Sequence, residues 1–106
     1  VATTIANARD NGVGTRIIAV EAAGLGHRVI ARNAPYDLIV ANILAGPLQA
    51  LAPAMGRAAD RHATIILSGI LGTQAARVVA AYARAGMVLR QKLARKEWTT
   101  LILEKR

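Results

Sequence analysis

The sequence predicts an α/β layered fold: a mostly parallel sheet covered by helices, ending in a C-terminal antiparallel hairpin. Three observations carry this. Short runs of Ile, Val and Leu alternate with helical patterns, the order that produces parallel strands joined by helical crossovers. The run at 37–43 (DLIVANI) is apolar on both faces, as a strand inside a parallel sheet is. From residue 87 the pattern changes to apolar–polar alternation, the mark of a half-exposed antiparallel strand.

Taken in order, residues 1–11 (VATTIANARDN) read as a helix with Val1, Ile5 and Ala8 on one face, stopped by Asn11 and Gly12. Residues 16–20 (RIIAV) form a short β-branched run, a buried strand. Residues 22–35 contain Gly24, Gly26 and Pro35 and read as a loop or weak strand. Strand 37–43 follows, and Pro47 then fits the first helical position. Leu48, Leu51, Ala52 and Met55 give the i, i+3, i+4, i+7 spacing of a helix. Pro53 interrupts that spacing, because it removes a donor and crowds the preceding turn; a kink or two short helices are expected. Residues 64–67 (TIIL) form a third buried strand, ended by Ser68 and Gly69. A helix from about Thr73 places Ala75, Val78, Val79 and Tyr82 on one face and stops at Ala85 and Gly86. Residues 87–94 alternate, a tight turn falls near Arg95 and Lys96, and residues 98–103 form the last strand.

At 106 residues the chain holds one small domain. Hydrophobic residues make up 54%, enough to offset the entropy of folding, while aromatics are 3%, so the core is expected from Ile, Leu and Val. The absence of Cys excludes disulfides and thiolate metal sites. Apolar runs fall far short of the ~20 residues that span a bilayer, so no membrane partner is expected. The chain opens on Val1 rather than Met, which reads as a processed product or a piece of something longer. The net charge of +8 raises the question of a nucleic-acid partner, because six of the fourteen basic residues lie in the last seventeen positions. Trp98 is the one aromatic among them, and an Arg-rich solvated surface accounts for the charge more simply than direct nucleic-acid binding.

Few residues offer chemistry. Gly12–Gly14 and Gly24–Gly26 are Gly-x-Gly pairs, but a dinucleotide loop needs a third glycine where Ile17 and Val29 stand, so both pairs read as turns. His27 and His62 lack carboxylates at helical spacing, so no metal site is expected. Ser68 has no Gly-x-Ser-x-Gly elbow and no identifiable base. Asn42 remains. It sits at the carboxyl end of the central strand, where ligands bind in parallel α/β sheets. Its carboxamide can accept from an amine without adding charge, or it can cap the following backbone in an Asx turn; spacing alone leaves both readings open.

The blocks YDLIVANILAGPL (36–48), LAP (51–53), IILSGIL (65–71) with Gln74, AAYARAGM (80–87) and EWTTLILEKR (97–106) together resemble the ribosomal protein L11 methyltransferases. These are class I S-adenosylmethionine-dependent enzymes with a Rossmann-like fold. The likeness runs over essentially the whole chain. Asn-Ile-Leu-Ala-x-Pro-Leu, here residues 42–48, is its most specific part, and ANARDNGV (6–13) resembles the family helix after strand two.

The resemblance implies a sheet order three, two, one, four, five, seven, six. The strands at 16–20, 37–43, 64–67, 87–93 and 98–103 then correspond to strands three to seven, so the chain is a truncated, C-terminal part of the catalytic domain. Strands one and two, with the glycine-rich cofactor loop and the ribose-binding acid, have no counterpart. The whole protein is expected to be a cytoplasmic enzyme that methylates amino groups of a large-subunit ribosomal protein, and this piece to be inactive alone. By resemblance, Asn42 contacts both the methyl donor and the amine, Ile43 and Leu44 wall the cofactor site, and Glu21 and Ala22 lie near the adenine. Without strands one and two, strand four would expose an unpaired edge. Relief is expected from self-association, from strand three moving over to pair with strand four, or from a cleaved peptide that fills the gap. Two other readings share the same residues: a same-fold methyltransferase for another protein or small amine, and a basic nucleic-acid- or ribosome-binding module without catalysis.

Overall fold

The computed structural model describes residues 6–10, 16–20 and 35–106. In chain order the elements are β1 (Ala6–Asp10), β2 (Arg16–Val20), β3 (Tyr36–Asn42), α1 (Ala45–Ala58), β4 (Ala59–Leu71), a 3-10 turn (Gly72–Gln74), α2 (Ala75–Arg84), β5 (Met87–Arg95) and β6 (Trp98–Lys105). The six strands form one sheet in the order β1-β2-β3-β4-β6-β5. Among the described residues no helix is long and apolar enough to cross a membrane.

Two pairings, β2 with β3 and β3 with β4, are parallel. The other three are antiparallel. The expected mostly parallel sheet is therefore parallel only at its centre. Chain connectivity explains this. Parallel neighbours need a crossover of a dozen or more residues, which α1 supplies between β3 and β4. Only residues 11–15 separate β1 from β2, and only Lys96 and Glu97 separate β5 from β6, so those pairs must run antiparallel.

β1 stands where the sequence predicts a helix. Thr3, Thr4, Asn7 and Asp10 are weak helix formers, and a helix of so few residues is marginal without packing. Pairing Ala6–Asp10 along β2 satisfies a whole row of backbone groups on β2 instead. β2 in turn pairs directly with β3, with Ile18 opposite Ile39 and Val20 opposite Ala41. β3 is thus paired on both sides, the outcome in which the strand at 16–20 moves beside the strand at 37–43.

One face of the sheet carries the core. Ile18, Ile39, Ile65 and Leu103 line up across four strands, as do Val20, Ala41, Leu67 and Leu101. All eight are buried, and they join Leu48, Leu51, Met55, Val78 and Tyr82 of the two helices in a single cluster. The row one residue over, Ala19, Val40, Ile66 and Ile102, lies on the opposite face and is only half-buried.

α1 is one continuous helix with Pro53 inside it, not two. Pro53 is exposed, so its ring and the carbonyl it leaves unpaired, that of Gln49, lie on the outer side of the helix. Pro47 occupies the third helical position rather than the first; the N–H groups of the first turn have no helical partner, so nothing is lost there. β4 is longer than residues 64–67. It begins directly after α1, and the regular register with β3 starts at Leu38 opposite Thr64. Residues 60–63 bulge out before that point, with His62 in the left-handed region at φ 69°. Ser68 and Gly69 do not end the strand; it shifts register there and runs on to Leu71. β6 likewise extends past residue 103 to Lys105.

His62 and Arg90 both bond Glu104, at 3.2 and 3.0 Å. The His62 hydrogen bond, then that of Arg90, hold the Glu104 carboxyl below the usual carboxylate range. These groups are solvated, so the network adds little stability.

Two contacts join the helices. The Tyr82 hydroxyl of α2 reaches the Leu48 carbonyl of α1 at 2.9 Å and the Met55 sulfur at 3.2 Å. It has one proton, and the carbonyl is the stronger acceptor. Gly56 lies against the end of α2: a Cβ there would stand 2.6 Å from the Ala85 carbonyl oxygen.

Burial pushes the Tyr82 hydroxyl above the ordinary tyrosine range. The folded chain therefore holds this proton more tightly than the unfolded chain. Its contribution is complete below the unfolded pKa of ~10 and falls as pH rises above that value, by about 1.4 kcal/mol per pH unit. Tyr82→Phe should lose about 1 kcal/mol at pH 8, read as a lower urea midpoint with unchanged slope. The gap between wild type and Tyr82→Phe should close by about pH 11; a gap that stays constant would mean that the hydroxyl is not buried.

Gly56→Ala sets two effects against each other. Helix propensity favours Ala by ~1 kcal/mol. A clash with backbone rather than with a flexible side chain costs about 1–3 kcal/mol. Net destabilisation in urea is expected, and a more stable variant would show that the helices can separate freely.

Candidate functional site

β3 and β4 run parallel, so their carboxyl ends meet at one edge, with Asn42 opposite Ser68. Such an edge is where an open α/β sheet receives a ligand. The sequence builds it abruptly. Ala41 is fully buried and Ile43 is 5% exposed, yet Asn42 between them is exposed. Strand alternation turns Asn42 away from the core face, and the strand stops there. Three residues later α1 begins: the Leu48 N–H donates to the Leu44 carbonyl at 3.0 Å, closing the first turn.

The Asx-turn reading is not realised among the described residues. The residue that caps α1 is Leu44, and no side chain caps it. The Asn42 carboxamide forms no hydrogen bond with a described residue, so among those residues nothing competes with a ligand for its oxygen and its two N–H groups.

The neighbouring strand fits itself to Asn42. The Ser68 hydroxyl donates to the Ala41 carbonyl at 3.4 Å, one residue before the carboxamide. Gly69 has φ +80°, and a Cβ there would stand 2.6 Å from Asn42 Oδ1. The Ile43 carbonyl oxygen and nitrogen lie 3.5 and 3.6 Å from the same point. Gly69 therefore leaves a small cradle that the Asn42 carboxamide occupies. Farther along, Gln74 Oε1 accepts from the Leu71 N–H at 3.2 Å, and the Gly72 N–H donates to the Glu97 carbonyl at 2.9 Å. The first bond closes the turn after β4, and the second ties that turn to the β5–β6 hairpin.

The residues expected at the site separate here. Asn42 stands at the edge. Leu44 is 70% exposed and stands beside it as an uncovered apolar side chain. Ile43 sends its side chain into the core, so it meets the edge through its backbone alone. Glu21, Ala22, His27 and the two Gly-x-Gly pairs lie outside the described residues. His62 pairs with Glu104, which stands opposite Thr64 toward the amino end of β4, four residues or roughly 13 Å along the strand from Ser68. Sequence reasoning missed Gly69 as a site residue. The one signal available was Ser-Gly directly before more apolar residues, and that reads equally well as the end of a strand.

A sequence profile described as ribosomal protein L11 methyltransferase (PrmA) matches residues 1–106. The ribosomal protein L11 methyltransferase of Rhodopseudomonas palustris (strain BisB5) is 44% identical over 105 residues, 99% of this chain and 36% of that protein. The protein of the same description from Brucella suis (strain ATCC 23445 / NCTC 10510) is 42% identical over 106 residues, 98% of this chain and 37% of that one. The crystal structure of ribosomal protein L11 methylase from Lactobacillus delbrueckii subsp. bulgaricus is similar with a TM-score of 0.66 and 30% identity, over 72% of this chain and 40% of that one. The chain thus spans little more than a third of the length of the curated relatives it matches. Matched across all its residues by the family profile and closely similar to several members, the chain belongs to the ribosomal protein L11 methyltransferase family.

Proposed function

We propose that this chain is the strand-three to strand-seven portion of a methyltransferase catalytic domain. The whole protein would transfer methyl groups from S-adenosylmethionine to amino groups of ribosomal protein L11, its partner in the large ribosomal subunit. The observation that carries this reading is Asn42: an exposed carboxamide, unbonded among the described residues, at the shared carboxyl edge of two parallel strands, inside the block 42–48.

The donor set suits that chemistry. When bound, S-adenosylmethionine supplies a methyl group on a positively charged sulfur. An attacking amine must be neutral and must present its lone pair along the methyl axis. Asn42 Oδ1 accepts an amine N–H and leaves the lone pair free to point elsewhere. A neutral carboxamide does this without the positive shift in amine pKa that a carboxylate would cause. Leu44, apolar and open at the same edge, excludes water and favours the uncharged amine by desolvation. Ile43 contributes backbone, and Glu21 with Ala22 would flank the adenine. Most of the rate gain from such a site is positional, with effective molarities on the order of 10⁵ M or more in favourable cases.

In the whole-length enzyme, Asn42→Ala should lower single-turnover methylation by ~10²-fold or more, the usual scale for one positioned polar group at the reacting atoms. A rate like that of wild type would remove Asn42 from the chemistry. The glycine-rich loop and the ribose-binding acid of the family fold have no counterpart in these residues. The chain alone should therefore bind S-adenosylmethionine more weakly than ~1 mM, about −4 kcal/mol. Micromolar affinity by calorimetry would contradict the assignment to strands three to seven.

A further inference from the structure

We infer that Gly69 is a positioning residue for Asn42: its missing side chain sets where the carboxamide oxygen stands. The inference rests on the methyl-transfer reading for its functional consequence, but not for its geometry. Two independent features meet at this glycine. Its backbone is left-handed, φ +80°, where a side chain is strained. Its absent Cβ would fall 2.6 Å from Asn42 Oδ1, closer than any real contact of that kind. The first feature belongs to the register shift between Leu67 and Ile70, which turns the end of β4. The second belongs to the site alone.

The pair Ser68-Gly69 thus meets β3 at two successive residues. Ser68 holds the backbone, through its hydroxyl on the Ala41 carbonyl. Gly69 holds the side chain, by bounding the space the carboxamide fills. A methyl group at 69 would drive Oδ1 aside, and a displacement of about 1 Å in a positioning group is enough to cost ~10²-fold in rate.

Gly86 provides a matched control. It also has positive φ, +92°, but a Cβ there would meet only the flexible Lys105 side chain, at 3.4 Å from Nζ. Gly69→Ala and Gly86→Ala therefore introduce similar backbone strain, and only the first touches Asn42.

The test uses the chain itself and then the whole-length enzyme. In the chain, the Asn42 side-chain amide pair is followed by ¹⁵N–¹H NMR, with assignment from its loss in Asn42→Ala. Gly69→Ala should move that pair, and Gly86→Ala should leave it in place; an unmoved pair in folded Gly69→Ala overturns the inference. Thermal melts cover the case in which Gly69→Ala folds poorly. Removing Oδ1 relieves the clash, so the melting loss caused by Gly69→Ala should shrink in the Asn42→Ala background. Equal losses in the two backgrounds would mean that only backbone strain matters, and the inference fails. In the whole-length enzyme, Gly69→Ala should lower kcat at least ~10-fold with KM for the protein substrate nearly unchanged, and the double variant should be no slower than Asn42→Ala. Multiplied defects would overturn the inference. An inactive wild type would instead defeat the methyl-transfer reading, while the NMR and melting results would still decide the role of Gly69.

Discussion

The parallel pairing of β3 with β4 is the constraint on which the rest of the structure depends. Its register, from Leu38 opposite Thr64 to Asn42 opposite Ser68, fixes which residues share the core face and which residues meet at the carboxyl edge. A slip of β3 by one residue would send Ile39 and Ala41 out of the core and turn Asn42 into it, and a slip of β4 would do the same to Ile65 and Leu67. Burial holds the register: those four side chains are fully enclosed, and each lost Ile or Leu contact would cost several kcal/mol. The site is therefore as rigid as the core beneath it. A positioning carboxamide needs such a platform, since a residue on a free loop would lose the geometry it supplies.

The helices serve the same register from above. α1 is the crossover that lets β3 and β4 run parallel, and it starts only three residues past Asn42. Tyr82 pins α1 to α2 through the Leu48 carbonyl, in the first turn of α1. Gly56 lets the far end of α1 close on Ala85. The two contacts lie at opposite ends of α1, so its axis, and hence the direction in which the chain leaves Asn42, is set at two points. With Ala so common and aromatics so scarce, the core gains less from each side chain, and close approach between elements has to supply the remainder.

Much of this was legible in the sequence because it is local. The two-faced apolar run at 37–43, the helical spacing from Leu48 to Met55 and the alternation after Met87 each reveal their element without reference to the rest of the chain. What was not legible depends on partners. Ala6–Asp10 has no strong preference and becomes a strand only because β2 offers an edge to pair with. Pro53 looks like a break in α1, but its exposed position makes the lost bond tolerable. Ile43 looks like site wall because it follows Asn42 in the same block, yet strand alternation sends it to the core. Asn42 itself could be found, since an amide ending an apolar strand is a local oddity. Gly69 could not, because its meaning lies in an oxygen 27 positions away in the chain.

That last contrast bears on how such a site keeps its geometry. A carboxamide can be oriented by bonding it to neighbours, but each bond consumes a donor or acceptor that a ligand needs. It can instead be oriented by shape, with its rotamers limited by what surrounds it. Among the described residues Asn42 is held in the second way. Its oxygen rests in the cradle left by Gly69, its backbone is anchored through Ala41 to Ser68, and its hydrogen-bonding groups remain uncommitted. Steric orientation leaves the full polar capacity of the amide for a ligand that must be aligned rather than merely bound. The cost falls on β4, which has to accept a left-handed residue and a break in its register near the middle of the sheet. Such an irregularity would only weaken an ordinary strand, and it is maintained here by the buried rows on either side of it, where Leu67 faces Leu101 and Ile70 faces Thr99.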